Sequence, residues 1–341
     1  MTETKNDVAL RVKDLCVNFY TNRRCNKVLR GISFDIKRGK TLCIVGESGC
    51  GKSVTANAIL RLLPDLSRIE GGSITYYHED GSEVRMDQLD KNGKEIRALR
   101  GKEIAIIFQD PMSALNPVYT VGKQIREMIR EHKTGLRRRQ LKKESVQDLA
   151  DMGIPAPEIR DGEYPHQFSG GMRQRAMIAM GMSCEPKVLL ADEPTTALDV
   201  TISAQIFELM NDLKEEHGTA ILMITHNMGV VAEMADDVAV MYMGNIVEYG
   251  TVEEVFTKPV HPYTKALLRS IPILGKGKNQ VLEPIRGATP DPFNRPEGCQ
   301  FCPRCDYATD RCAIEMPPEE WLTNSHYTRC FNHREVEKDG E

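Results

Sequence analysis

Eight consecutive residues constrain this chain more than any other stretch: Gly46–Glu47–Ser48–Gly49–Cys50–Gly51–Lys52–Ser53. They match the spacing G-x-x-x-x-G-K-[S/T] and follow Thr41–Leu42–Cys43–Ile44–Val45, a short apolar run of the kind that forms a buried parallel strand. A helix is expected from Lys52 to about Leu63, closed by Pro64. Strand, glycine loop and helix in that order require an α/β fold. The glycines let backbone N–H groups turn inward around phosphate oxygens, and the helix N-terminus adds positive potential. Lys52 is placed to reach the β- and γ-phosphates and the Ser53 hydroxyl to ligate Mg²⁺. The alternative, a glycine turn with no ligand, would have to produce the motif and its context by chance.

A second element fits the first. In Val188–Leu189–Leu190–Ala191–Asp192–Glu193 an apolar strand delivers two acids at its carboxyl end. Asp192 is expected to hold Mg²⁺ through water, and Glu193 to polarise an attacking water as general base. Further strand signals lie in Leu10–Lys37, Ile104–Phe108 and Ala220–Thr225, and the stretch from Pro111 to about Gly181 reads as helical. Strands alternating with helices predict a largely parallel sheet covered on both faces. The basic run Lys133, Arg137, Arg138, Arg139, Lys142, Lys143 reads as a solvated helix face.

Composition narrows the class. The 341 residues leave room for about two domains. Lys and Arg number 45 against 49 Asp and Glu, a net charge of −4, which gives no help to nucleic-acid binding. No run approaches the roughly 18 apolar residues needed to span a bilayer, and the N-terminus lacks a signal-peptide layout. A cytoplasmic protein is expected.

Kinase, GTPase, helicase and transporter ATPase all remain open until Phe168–Ser169–Gly170–Gly171–Met172–Arg173–Gln174–Arg175, a second anion-binding helix start. One nucleotide does not need two such cradles in one chain; two chains facing head-to-tail would use both. This stretch resembles the signature of the ATP-binding-cassette (ABC) ATPases, and the order of motifs over residues 8 to 335 agrees. The resemblance implies a P-loop cassette with a parallel-sheet core, an antiparallel β subdomain and an inserted helical subdomain at about 111–181. It further implies that Gln109 is the Q-loop glutamine approaching Mg²⁺, that Asp199 of Ala197–Leu198–Asp199 lies in the D-loop, and that His226 is the switch histidine at the γ-phosphate. Phe19 would stack on adenine, with Tyr20 the alternative, and Val54 would join Gly46, Ser48, Gly49, Cys50, Gly51, Lys52 and Ser53 around ATP. Ser169, Gly170 and Gly171 would complete the partner's site.

The finer resemblance is to the ATPase subunits of bacterial oligopeptide and dipeptide importers. It is carried by Gly46–Glu47–Ser48–Gly49, Phe108–Gln109–Asp110–Pro111, Leu115–Asn116–Pro117, Tyr164–Pro165–His166–Gln167 and His261–Pro262–Tyr263–Thr264. That family implies a sister ATPase, two transmembrane permease subunits, an external peptide-binding protein, and attachment to the cytoplasmic face of the bacterial cell membrane. Nickel or another small solute is the alternative cargo. A non-transport ABC ATPase is the rival, though this chain has one cassette and no sustained heptads. Met172 is usual in the subgroup; Cys50 stands where Ser is common and would make the site sensitive to thiol reagents, and Asn227 follows His226 where Asp is common.

After Tyr263 the texture becomes irregular, and a boundary is expected near residue 270, dividing a cassette (1–270) from a C-terminal region (271–341). That region carries Cys299, Cys302, Cys305, Cys312 and Cys330, half of the ten cysteines. Their C-x-x-C-x-x-C core is a metal-ligand spacing, suited to zinc or to a 4Fe–4S cluster, with reduced thiols or disulfides as the remaining reading. The family resemblance selects Cys299, Cys305, Cys312 and Cys330 as cluster ligands and leaves Cys302 extra.

Overall fold

The computed structural model describes residues 7–21, 24–195, 198, 200–270 and 284–338. The chain opens with β1 (Val8–Thr21), β2 (Arg24–Lys37), β3 (Thr41–Val45), α1 (Lys52–Ile59), β4 (Ser67–Tyr77), β5 (Glu83–Arg85) and α2 (Lys94–Leu99). After β6 (Ile104–Ile107) come α3 (Pro111–Ala114), α4 (Val121–His132), α5 (Arg138–Asp151), α6 (Pro157–Arg160) and α7 (Gly170–Met182). Then follow β7 (Val188–Asp192), α8 (Val200–His217), β8 (Ala220–Thr225), α9 (Met228–Met234), β9 (Asp237–Tyr242), β10 (Asn245–Thr251), α10 (Val252–Thr257) and α11 (Pro262–Arg269). The C-terminal region adds α12 (Asp310–Ile314), β11 (Glu320–Trp321), β12 (Tyr327–Thr328) and α13 (His333–Lys338).

Contacts divide the chain into two compact units. The first takes Met1–Leu10, Ile36–Lys40 and Tyr76–Met223, and the second takes Arg11–Asp35, Thr41–Thr75 and Ile224–Glu341. In the first unit the strand order is β8-β7-β6, with β6 and β7 parallel and Ile104 opposite Val188. Every residue of β7 and β8 is buried, as expected of strands covered on both faces. The helices α4, α5 and α7 pack through Val121, Ile125, Ile129, Leu149, Ala176 and Ile178. Their packing is pinned by the buried Asp161, whose Oδ1 accepts from Ser145 Oγ at 2.7 Å and from Arg126 Nη1. Gly122 is required there, since a Cβ would lie 1.8 Å from Asp161 Oδ1. The basic run lies on and beside α5, with Arg137, Arg138, Arg139, Lys142 and Lys143 exposed.

In the second unit the order is β11-β12-β10-β9-β3, beside a further sheet β2-β1-β4. Here β3 and β9 are parallel, but β9, β10, β12 and β11 pair antiparallel. The sheet is therefore less parallel than its strand–helix alternation suggests. Residues Met243 and Gly244 join β9 to β10 with φ of 43° and 83°, a two-residue turn with both centres left-handed. The helix expected over Lys52 to Leu63 stops at Ile59. Arg61 (φ 55°) occupies the left-handed position usually given to glycine, and Arg61 N donates to Ala58 O and Leu62 N to Asn57 O, a Schellman ending. The irregular texture expected after Tyr263 begins later, because α11 continues to Arg269. Among the described residues no helix is long and apolar enough to cross a membrane.

Candidate nucleotide site

The phosphate loop belongs to the second unit and runs between β3 and α1. Three of its residues need glycine: Gly46, Gly49 and Gly51 have φ of 154°, 79° and 113°. Gly46 also has no room for a side chain, since a Cβ would meet Met241 O at 2.1 Å. Lys52 is buried, and its Nζ donates to Gly46 O at 2.8 Å and Glu47 O at 3.1 Å, so the loop's own carbonyls hold the ammonium group at the cradle. Ser53, in the first turn of α1, is exposed, and Val54 is half-buried. Cys50 is 5% exposed and burial pushes its thiol pKa up, so the sensitivity to thiol reagents expected from its position is corrected: a buried neutral thiol is a poor nucleophile.

Phe19 and Tyr20 lie near the end of β1. Phe19 is half-buried, while Tyr20 already has partners: its hydroxyl donates to Glu70 Oε1 at 2.5 Å, and the Arg68 guanidinium lies 5.7 Å from its ring centroid. His226 follows β8 and is exposed. Asn227 supplies the cap of α9, its Oδ1 accepting from Gly229 N at 2.9 Å, which explains how an amide serves at that position.

The first unit carries the acids. Asp192 is 6% exposed at the carboxyl end of β7. Glu193 follows with φ 45°, a left-handed conformation that costs an L-residue free energy. Its Oε2 accepts from Gln109 Nε2 at 2.9 Å, so the expected general base and the expected Mg²⁺-approaching glutamine, 84 positions apart, meet in the fold. Ser169 caps α7, its Oγ accepting from Met172 N at 3.2 Å, and Ser169 and Gly170 are exposed, with Gly171 half-buried. Ala197 and Asp199 lie outside the described residues.

Sequence reasoning missed what surrounds Glu47. Its backbone N–H donates to the Tyr263 hydroxyl at 2.8 Å, and its carboxylate takes two hydrogen bonds from Arg304, at 2.6 and 3.0 Å. It also missed Glu248, fully buried, which accepts from the N–H groups of Val260 and His261 at 2.9 Å each and lies 2.9 Å from His326 Nε2.

The five C-terminal cysteines line one void of about 10 Å³, together with Phe301, Tyr307 and Phe331. All ten cysteines of the chain are free of disulfides. Burial pushes the thiols of Cys299 up to about 11 and of Cys305 and Cys330 up to about 12, so without a cation beside them they stay protonated. Among the described residues no three His, Cys, Asp or Glu side chains converge on the position of a single metal ion. The soft thiol donors line one void, but among the described residues they form no ready ligand set, either for the expected 4Fe–4S cluster or for the alternative zinc.

Comparison with known proteins agrees with the geometry. Residues 29–196 match the ABC transporter family, and residues 247–312 match the oligopeptide/dipeptide transporter C-terminal region. The dipeptide transport ATP-binding protein DppD of Bacillus subtilis is 46% identical over 323 residues, 94% of this chain and 94% of that protein. The oligopeptide transport ATP-binding protein OppD of the same organism is 47% identical over 323 residues, 94% of this chain and 88% of that one. Among solved structures, cbiO1 of Clostridium perfringens, part of the ABC transporter complex cbiONQ, aligns with TM-score 0.60 at 29% identity, covering 74% of this chain and 92% of that one. A dimeric bacterial ABC transporter cassette aligns with TM-score 0.62 at 25% identity, covering 71% of this chain and 98% of that one.

Proposed function

This chain belongs to the ABC transporter ATP-binding family, in the branch that carries the oligopeptide/dipeptide transporter C-terminal region, and from that premise we propose that it hydrolyses ATP to power peptide import through a membrane complex. The observation that carries the reading is the phosphate loop, with its left-handed glycines and Lys52 bonded to the loop carbonyls at 2.8 and 3.1 Å. ATP is the substrate bound there. Lys52 neutralises its β- and γ-phosphates, Phe19 stacks on the base, and the remaining loop residues through Val54 enclose the triphosphate. Ser53, Gln109 and Asp192 offer the hard oxygen donors that suit Mg²⁺, which when bound offsets phosphate charge. Glu193 accepts a proton from the attacking water, Gln109 orients Glu193, and His226 contacts the γ-phosphate.

Ser169, Gly170 and Gly171 at the start of α7, together with Asp199, serve the site of a sister ATPase in a head-to-tail dimer, so that ATP joins the two and hydrolysis releases them. Two permease subunits supply the membrane path, an external binding protein supplies the peptide, and this chain sits at the cytoplasmic face. We divide the chain near residue 270, the ATPase cassette before it and the cysteine region after it. Cys299, Cys305, Cys312 and Cys330 would hold a 4Fe–4S cluster, a reading supported by their being soft donors that line one void. When bound, the cluster contributes folding energy to a segment with little core of its own.

Affinity purification of the full chain from detergent-solubilised membranes tests the assignment. A second cassette ATPase and two polytopic membrane proteins are expected, with peptide uptake lost in Lys52→Ala cells. Recovery of ribosomes or DNA without a permease overturns it.

A further inference from the structure

An acid in the second position of an anion cradle is a liability, because a free carboxylate beside a triphosphate repels it. Glu47 occupies that position, and the fold restrains it from the far end of the chain. Arg304 grips both carboxylate oxygens, Nη1 to Oε2 at 2.6 Å and Nη2 to Oε1 at 3.0 Å, the bidentate geometry that fixes direction as well as charge. The side chain of Arg304 is 4% exposed and that of Glu47 28%. Arg304 is itself held: its Nε donates to Arg286 O at 2.8 Å, its Nη1 lies 3.3 Å from the Tyr242 hydroxyl, and its guanidinium stands 5.8 Å from the Phe301 ring centroid. Tyr263 takes the Glu47 N–H at 2.8 Å, and Thr289 Oγ1 lies 3.4 Å from Glu47 Oε2. Arg304 falls between Cys302 and Cys305, so the loop that carries the thiols also carries the guanidinium.

We propose that Arg304 is a positioning residue for the phosphate loop: it neutralises Glu47 and holds the carboxylate off the bound triphosphate, so that the cysteine region sets the affinity for ATP. The inference rests on the nucleotide-site reading above. Its substance is electrostatic, and the sign of each variant follows. In Arg304→Gln the released carboxylate faces the phosphates, and ATP binds about tenfold more weakly, more so at low salt. Adding Glu47→Gln removes the charge that Arg304 was restraining and restores binding, although the contact itself is still missing. A purely structural role for Arg304 gives no such rescue.

The test uses the purified full chain for ATP affinity, by titration of a fluorescent ATP analogue, and the complex copurified with the sister ATPase for KM and kcat from phosphate release. Expected are a KM about tenfold higher in Arg304→Gln with kcat within about twofold of wild type, and recovery to within about threefold in Arg304→Gln/Glu47→Gln. Unchanged affinity in Arg304→Gln, or a double variant no better than the single, overturns the proposal. If Arg304→Gln does not fold, Glu47→Gln alone decides. It is expected to bind ATP at least as tightly as wild type, and weaker binding overturns the proposal. A wild-type chain that fails to bind ATP refutes the nucleotide site itself, a separate outcome.

Discussion

Replacing Glu193 separates chemistry from backbone geometry at a single residue. Glu193→Gln keeps the side-chain length and an oxygen that still accepts from Gln109 Nε2, now at 2.9 Å, so the resting site is preserved. What is lost is the proton acceptor, and removing a general base lowers the rate about a hundredfold to ten-thousandfold, or about 3–5 kcal/mol of transition-state stabilisation. ATP affinity is expected to stay within about twofold, since no phosphate-binding group is changed.

The backbone adds a second expectation with an unusual sign. At φ 45° an L-residue pays about 1–2 kcal/mol that glycine does not, against which glycine's freer unfolded chain returns about 0.4–1 kcal/mol. Glu193→Gly should therefore be more stable than Glu193→Ala by about 1 kcal/mol, the reverse of the order found inside helices and strands. Single-turnover phosphate release, fluorescent-nucleotide titration and urea melts of the full chain measure the three quantities. Hydrolysis above about a tenth of wild type in Glu193→Gln refutes the general-base role. An alanine variant more stable than the glycine variant refutes the strained conformation.

Two further outcomes follow from buried groups. Desolvation pushes the Asp148 carboxyl up to about 7, and its Oδ2 is buried without a partner, so the folded chain keeps a proton that the unfolded chain loses above about pH 4. Because the native state then binds more protons, stability falls as pH rises from about 4 to about 7 and levels off beyond it. Asp148→Asn should match wild type near pH 4 and exceed it by about 1–3 kcal/mol near pH 8 in urea midpoints, and equal midpoints at both pH values remove the argument. For the cysteine void, anaerobic purification should yield iron and acid-labile sulfide in equal amounts with visible charge-transfer absorption, lost in Cys305→Ser. One equivalent of zinc without iron refutes the cluster.

How much of this was legible beforehand depends on whether the information is contiguous. The phosphate loop is spelled out in adjacent residues because what it needs is backbone shape: Gly46, Gly49 and Gly51 adopt φ of 154°, 79° and 113° whatever lies elsewhere. Strands β3, β6, β7 and β8 are legible for a related reason, since burial on both faces demands an unbroken apolar run. The antiparallel β9 and β10 escaped notice. Their turn is Met243–Gly244 rather than the usual Asn-Gly, and β10 carries Glu248, a charge that reads as solvent-facing. That acid is fully buried, and only its fold-distant partners, the Val260 and His261 N–H groups and His326, make burial affordable.

The same physics separates the two halves of the site. A catalytic motif must present its groups to a ligand common to many chains, so its residues are constrained in type and spacing. A restraint such as Arg304 on Glu47 need only satisfy one other residue, and 257 positions separate the pair. Neither residue announces the other: Arg304 stands among the C-terminal cysteines and Glu47 inside the phosphate-loop motif, and nothing beside either one names its partner. Their joint meaning is visible only as a distance of 2.6 Å, with the Arg304 side chain buried and that of Glu47 half-buried. Tyr263 makes the point from the sequence side, since His261–Pro262–Tyr263–Thr264 and Gly46–Glu47–Ser48–Gly49 were each recognisable as markers without any reason for their pairing. The hydrogen bond from Glu47 N to the Tyr263 hydroxyl, 2.8 Å long, supplies the reason: the second marker is part of the wall that shapes the first.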